Sequence, residues 1–185
     1  MSRVVFKFLV PEAVGPFTSF QWPTSGAWVE VPGALDPCRR GVHGVERDHL
    51  ARWLQPELWR IELDGDMVET GTVVVAERGR LVERIGGWNV DAARELMEHA
   101  AGRAQELAAE HPGSGILGEL AEQASGYLDG TFEPDDPFQA TATGTYVVAR
   151  AAGAAESMDD PSGHDAGFAA ERRRQSIWLA ERLGL

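Results

Sequence analysis

Tryptophan and alanine are distributed so unevenly along this chain that they divide it into two halves. Five of the six tryptophans lie within residues 1–88, whereas residues 89–185 are rich in alanine. Charge follows the same division: the first half carries 10 Lys and Arg against 12 Asp and Glu, net −2, and the second carries 7 against 17, net −10. Apolar residues alternate with polar ones in the first half and recur at helical spacing in the second. The sequence therefore predicts a β-rich half at 1–88 and a helical half at 89–185, packed as one cooperative unit.

Short runs of β-branched, aromatic and alternating residues identify the strands of the first half. The clearest run is 58–63, in which three large apolar side chains share one face, and the turn-forming pair Asp64-Gly65 follows it. The other predicted elements are strands at 3–9 and 27–31, a hairpin of 72–76 and 81–85 around residues 77–80, and a short amphipathic helix at 48–55. Because turns rather than helices join the strands, the sheet is predicted to be antiparallel.

Helical spacing of alanine and leucine dominates the second half. Asn89 is a good N-cap for a helix that ends before Pro112, and further helices are predicted at 116–128 and 165–183. Residues 138–155 fit two structures: alternating alanine and threonine suits a strand, whereas the length and alanine content favour a helix. Together these predictions describe an α+β fold, a small antiparallel β-sheet with a short helix followed by a packed C-terminal α-helical half.

Composition argues against several classes of protein. A net charge of −12 disfavours nucleic-acid binding, which depends on neutralising phosphates. The longest apolar run is too short to span a membrane, and Pro11 and Glu12 interrupt the N-terminal apolar stretch, so a cytoplasmic location is expected rather than secretion. Cys38 is the only cysteine, so no internal disulfide is expected. No glycine-rich phosphate-binding motif occurs, and no cofactor is predicted.

Cys38 and His43 form the sharpest candidate for catalysis. An imidazole can generate a thiolate nucleophile, and the neighbouring Arg39 and Arg40 would lower the pKa of the thiol. The segment is irregular and contains glycine, which suits a functional loop. A structural cysteine with a histidine that braces the loop is the simpler interpretation, because a separation of five residues does not by itself bring the two side chains together.

Two other candidate ligand sites also have simpler interpretations. Cys38, His43 and His49 are five and six residues apart, which is not the spacing of a zinc site, and no metal is predicted. The basic run Arg172–Arg174 has the chemistry to grip a carboxylate or phosphate. A solvated helix face that pairs with neighbouring acids explains the same run without a ligand.

Four aromatic residues lie in or beside the long loop of the first half, which is rich in proline and glycine: Phe17, Phe20, Trp22 and Trp28. One interpretation is that they line an apolar pocket closed by the loop, with Arg39, Arg60 and Glu62 as polar members next to the Cys38–His43 segment. The other is that they anchor the loop to the sheet as a satellite core.

Several segments carry a resemblance to known sequences. They are FKFL, VGPFTSFQWP, GAWVEV, CRRGVHG, LARWLQPELWRIELDG, VVVAERGRLVERI and AAERRRQSIWLAERLGL. Over nearly the whole chain they resemble a family of uncharacterised actinobacterial proteins with a Cys-x-x-Gly-x-His segment in the N-terminal half and an Ala-rich helical C-terminal half. The Cys-x-x-Gly-x-His core also resembles bacterial and phage domains of unknown function, in which a second cysteine usually follows; here Val45 stands in that place. The helical half is distantly similar to immunity-type proteins. Neither resemblance implies an established activity.

Two functions are therefore predicted from the sequence, in different halves of the chain. The first is small-molecule binding, with a candidate enzymatic role, in a pocket formed by the aromatic loop 15–28 and the Cys38–His43 segment. The second is an acidic interaction or immunity-type module that binds a basic protein partner through residues 89–185, since a net charge of −10 steers such a partner over long range. A Gly-x-His pattern near a strand adds a third class, an ADP-ribosyltransferase-like pocket. The pocket is preferred because the aromatic residues and the Cys38–His43 segment are concentrated in one half.

Overall fold

An antiparallel sheet of five strands occupies the first half of the computed structural model, which describes residues 2–37, 39–134 and 136–185. The strands are, in chain order, β1 Arg3–Leu9, β2 Val29–Glu30, β3 Val42–Gly44, β4 Glu57–Thr70 and β5 Val73–Arg84. Their order in the sheet is β1-β4-β5-β2, and β3 pairs with the first part of β5. The predicted antiparallel sheet is confirmed, and β1 has the predicted bounds.

The long hairpin of β4 and β5 differs from the strands predicted for this region. The predicted break at residues 77–80 is wrong, because β5 runs through it and the turn falls at Gly71 instead. Gly79 is needed inside the strand, since a Cβ atom there would lie 2.7 and 3.0 Å from two neighbouring side chains. Gly65, predicted as a turn residue, lies at a bulge within β4 with φ of 86°. Both glycines therefore lie within strands and not in turns.

The sheet curls until its two edges meet. Phe6 in β1 and Val45 after β3 exchange two backbone hydrogen bonds of 2.8 Å, while β3 is bonded to β5. Gly44 permits this closure, because a Cβ atom there would lie 2.4 Å from Val5. Strand residues alternate between faces, so Lys7 points to the same side as Val5, into the ring of strands. The buried apolar side chains of this ring are Val5, Leu9, Ala13, Trp22, Val42, Ile61, Leu63, Val74, Ala76 and Leu81.

Four α-helices form the second half: α1 Val90–Glu110, α2 Gly115–Asp129, α3 Pro137–Asp159 and α4 His164–Arg182. Asn89 caps α1 as predicted, its side chain accepting from the backbone N–H of Ala92 at 3.0 Å. The short helix predicted at 48–55 is a 3-10 helix, Arg47–Arg52. Among the described residues, none of the helices has an apolar stretch long enough to cross a membrane.

Helix α3 covers the segment whose pattern suited either a strand or a helix. Asp136 caps it by accepting from the backbone N–H of Gln139 at 2.8 Å, and Pro137 occupies its first turn. The buried hydroxyls of Thr141 and Thr145 donate to backbone carbonyls at 3.0 and 2.7 Å. The small alanine side chains let α3 pack closely, and the threonine hydroxyls buried with them are hydrogen-bonded to backbone carbonyls.

A buried polar network holds α4 against α3 and the 3-10 helix. Arg172 is 5% exposed and donates to the Thr145 hydroxyl at 3.1 Å, to Gln175 Oε1 at 3.0 Å and to the carbonyl of Ala51. Burial lowers the pKa of Arg172 to about 10. The prediction of a solvated face is therefore wrong for Arg172, because residues distant in sequence supply acceptors for it inside the protein.

One apolar cluster joins the two halves. It includes Phe8 and Leu58 from the sheet, Leu96 from α1 and Leu179 from α4. Trp88, at the junction, meets Phe8 edge-on with 5.7 Å between ring centroids, and its indole N–H donates to a backbone carbonyl before β4 at 2.7 Å. The outer face of the sheet is therefore buried by the helices at this end.

We expect residues 1–87, expressed alone, not to fold. The fragment would expose Phe8 and Leu58, and each exposed side chain costs about 2 kcal/mol, a large share of the stability of a small domain. Circular dichroism with thermal unfolding is the measurement. A soluble fragment with a sharp transition would show instead that the halves are separate domains.

Candidate functional site

Lys7 lies between the ring of one predicted site residue, Trp22, and the backbone of another, His43. The Lys7 ammonium donates to the backbone carbonyl of His43 at 2.8 Å and lies 5.2 Å from the centroid of the Trp22 ring. Trp22 is only 5% exposed. Within the described residues, no carboxylate lies within ion-pair distance of Lys7 Nζ. The ammonium is thus held by one carbonyl and one aromatic face.

Enclosure of Lys7 changes its acid–base behaviour. Burial lowers the pKa of Lys7 from 10.5 to about 8. A carbonyl and an indole face replace only part of the hydration that the ammonium loses, and this loss penalises the charged form. At pH 7 roughly 90% of the molecules still carry the charge, because the pH is about one unit below the pKa. Lys7 is therefore a half-buried cation at pH 7, and its neutral amine form becomes abundant just above physiological pH.

His43 lies in β3 rather than in an irregular loop. Its Nδ1 is 2.9 Å from the Gly41 carbonyl, which can only accept, so Nδ1 carries the proton and Nε2 is the basic nitrogen of the neutral ring. Burial, with a smaller effect from the charge of Lys7, lowers the pKa of His43 and keeps the ring neutral at pH 7. Arg39 is exposed. Cys38, the predicted partner of His43, lies outside the described residues.

The loop 10–28 is fastened to the sheet by a buried carboxylate. Glu57 accepts from the backbone N–H groups of Glu12 and Ala13, at 3.2 Å in each case, and Ala13 belongs to the core of the ring. Glu12 and Ala13 have φ values of 67° and 58°, in the left-handed region that strains residues other than glycine. Backbone hydrogen bonds between Val10 and Val14, at 3.0 and 3.3 Å, and from Trp22 to Ala13, at 3.0 Å, hold the same segment, so the strained backbone is fixed against the sheet.

Of the four aromatic residues predicted to line a pocket, Trp22 alone is buried. Phe20 meets it edge-on, with 5.6 Å between ring centroids. Phe17 is 81% exposed and meets Trp53 edge-on. Trp28 lies against two guanidinium groups that are 4.9 and 5.1 Å from its centroid. The aromatic residues thus divide into one core anchor and three surface positions.

The predicted polar members Arg60 and Glu62 lie on the outer face of the sheet. Their partners in β1 alternate with Lys7, so the two side chains point away from it. Arg60 forms an ion pair with Glu83, and Glu62 forms one with Arg80 at 2.7 Å. These residues stabilise the pairing of β4 with β5 across the exposed surface.

Lys7 was not among the predicted site residues, although the amino-acid composition singles it out. It is the only lysine in a chain with 16 arginines. Its strand neighbours Val5 and Leu9 are both buried in the core of the ring. Since lysine is rarely buried without a partner, a lone lysine in such a strand marks a position to test for function.

Two depressions on the surface of the described residues lie on the helices. One of about 380 Å³ follows α2, and one of about 350 Å³ lies between α1, α3 and α4. Neither reaches Lys7, whose side chain is half-buried and keeps part of its surface accessible to solvent. In the described part of the chain, no three His, Asp or Glu side chains are grouped so as to hold a metal ion.

Comparison with known proteins adds no assignment. No protein-family model matches the chain, and neither the curated proteins nor the solved structures contain a match. The resemblance to uncharacterised actinobacterial proteins stays a prediction. Functional inference therefore depends on the geometry around Lys7 and on the surface of the helices.

We expect Lys7→Met to be more stable than wild type by about 2 kcal/mol at pH 7. The substitution removes the penalty of a buried charge, on the order of 3 kcal/mol for a pKa lowered by this much, and costs about 1 kcal/mol by leaving the His43 carbonyl without its donor. Between pH 8 and 10.5 the unfolded wild-type chain binds the proton that the folded chain has lost. The stability of wild type therefore rises over this interval and the difference between the two proteins shrinks.

Denaturant unfolding of both proteins at pH 7, 8, 9 and 10 measures this difference. Arg94→Met, a change at an exposed residue of α1, is the control and should show no such pH dependence. A Lys7→Met protein that is less stable at pH 7, by an amount independent of pH, would show that the amine is hydrated in the folded state.

Proposed function

We propose that this protein binds a small carboxylate, whose negative charge pairs with the Lys7 ammonium beneath the loop 10–28. The observation that supports this proposal is the half-buried ammonium with no carboxylate partner among the described residues. Buried charges in proteins are normally paired, because an unpaired charge costs several kcal/mol. A ligand carboxylate would supply the missing partner.

The residues around Lys7 indicate which groups would contact this ligand. The ring of strands is filled with apolar side chains, so the ligand approaches the half-buried Lys7 from its solvent-accessible side, next to the loop 10–28. Trp22 would contact the apolar part of the ligand. Glu57 holds the loop next to the ligand through its hydrogen bonds with the backbone of Glu12 and Ala13. The loop 10–28, packed against the bound ligand, would exclude water and so strengthen the ion pair between Lys7 and the ligand carboxylate.

The predicted catalytic pair extends this proposal to an enzyme. The carbonyl that holds Lys7 belongs to His43, so a carboxylate bound at Lys7 lies beside the segment that contains both His43 and Cys38. The neutral ring with a basic Nε2 is in the form that activates a thiol. Because Val42 faces the inside of the ring of strands, the His43 side chain lies on the outer face of β3. In this proposal Lys7 anchors the substrate carboxylate on the inner side, and Cys38 as nucleophile and His43 as base act on a part of the substrate that reaches the outer face.

Calorimetric titration with acetate, pyruvate and benzoate, and with the corresponding neutral amides, tests the binding function. At pH 7 we expect at least one acid to bind with a Kd at least tenfold lower than that of its amide, because only the acid pairs with the ammonium. Affinity should fall as the pH rises above about 8, where Lys7 loses its proton.

Lys7→Met should abolish the preference for the acid. Arg94→Met removes the same charge from an exposed position on α1 and should leave binding unchanged. Equal binding of acids and amides, no binding of any of the acids, or equal affinity of wild type and Lys7→Met would contradict the proposal.

Substitution of the predicted catalytic pair separates catalysis from structure. His43→Ala keeps the backbone carbonyl that holds Lys7, so it removes the ring alone. We expect His43→Ala and Cys38→Ser each to retain carboxylate binding and a Tm within about 5 °C of wild type, while any turnover of the bound ligand is lost. A large drop in Tm for both variants would instead assign the pair a structural role.

A further inference from the structure

A groove of about 380 Å³ follows one side of α2, far from Lys7 in the chain. Small residues form its floor, Gly118, Ala121 and Ser125. Phe132 forms one wall because the chain turns back after α2: the backbone N–H of Phe132 donates to the Gly126 carbonyl at 3.1 Å. The ring lies so close to Gly126 that a Cβ atom there would be 2.1 Å from it, yet Phe132 remains 45% exposed.

The charged groups along this groove are acidic. Glu122 and Asp129 line it, and Glu119 is exposed on the same helix. Residues 112–149 contain six Asp and Glu and no Lys, Arg or His. Hydrogen bonds from Thr131 lower the pKa of Asp129, which keeps its carboxylate ionised. The groove therefore combines an apolar floor and wall with a negatively charged rim.

We propose that the α2 groove binds a basic amphipathic helix of a partner protein. The apolar side of that helix would lie on the small residues and against Phe132, and its Lys and Arg side chains would pair with Glu119, Glu122 and Asp129. The small floor lets a helix approach closely, and the stretch from Gly118 to Asp129 is about three helical turns long.

Charge distinguishes this partner from other occupants. A second copy of this chain would bring a net charge of −12 against an acidic rim, and repulsion would oppose it. A basic partner is attracted instead, and the attraction also accelerates its association. This surface is independent of the small-molecule site and shares no residue with it.

Fluorescence anisotropy with two labelled 14-residue helical peptides tests the proposal on the full chain. One peptide contains Leu, Ala and Lys with leucines on one face, and the other has Glu in place of Lys. We expect the Lys peptide to bind, with an affinity at least tenfold lower in about 500 mM than in about 50 mM salt. The Glu peptide should not bind.

Gly118→Leu is the deciding variant, because it fills the floor of the groove without changing charge. A Cβ atom at Gly118 meets nothing within 4 Å, so the fold should tolerate the substitution. Gly102→Leu on α1 is the matched control, since a Cβ atom there also meets nothing within 4 Å and the residue does not line the groove. We expect Gly118→Leu to weaken binding of the Lys peptide at least tenfold and Gly102→Leu to leave it unchanged.

A matched pair of charge reversals tests the rim. Glu122→Lys with Asp129→Lys should abolish binding, whereas Asp159→Lys with Asp165→Lys, which changes the net charge equally outside the α2 groove, should weaken it far less. The proposal is overturned if the two glycine variants bind alike, if the two double reversals weaken binding equally, or if wild type does not bind the Lys peptide.

Discussion

Two backbone hydrogen bonds between Phe6 and Val45 determine what the first half of this chain can do. They bond the free edge of β1 to the segment after β3, so β1 is paired on both sides and its inner face becomes the inside of a ring. Lys7 lies on that face. Its half-buried amine consequently loses part of its hydration and is held by a carbonyl and an indole ring, and its pKa falls to about 8. The proposed carboxylate site is thus a consequence of how the sheet closes.

Local pattern was sufficient for the elements whose determinants are close in sequence. Asn89 and the alanine spacing predict α1, and the residues of β1 predict its bounds, because caps and alternation act within a few positions. The turn predicted at residues 77–80 is wrong, because Gly79 does not form a turn. It is required because a Cβ atom there would collide with side chains from other strands. Lys7 was missed because β1 has buried residues on both faces: Phe8 contacts the helices while Val5 lies inside the ring. Alternation alone identifies neither face as the exposed one.

Lys7 and the loop beside it both lower the stability of the fold. A buried ammonium destabilises the folded state at neutral pH, and the left-handed Glu12 and Ala13 add strain to the loop beside it. Stability and function commonly oppose each other at binding sites. Glu57 limits the cost by binding the strained backbone directly, and the apolar cluster around Phe8 and Leu96 ties the sheet to the helices. The acidic α2 groove stands apart from these constraints, on the helical half of the chain.

The enclosure of Lys7 is the central claim, and one titration measures it directly. Lys7 is the only lysine, so protein labelled with ¹³C-lysine gives a single ε-methylene signal in its NMR spectrum. Following the chemical shift of that signal between pH 6 and 12 gives the pKa of the amine. An enclosed amine is expected to titrate near pH 8, and its pKa should rise when a carboxylate is bound, because the ligand stabilises the ammonium. A midpoint near 10.5 in the free protein would contradict the account, since it would show a hydrated lysine in an open sheet.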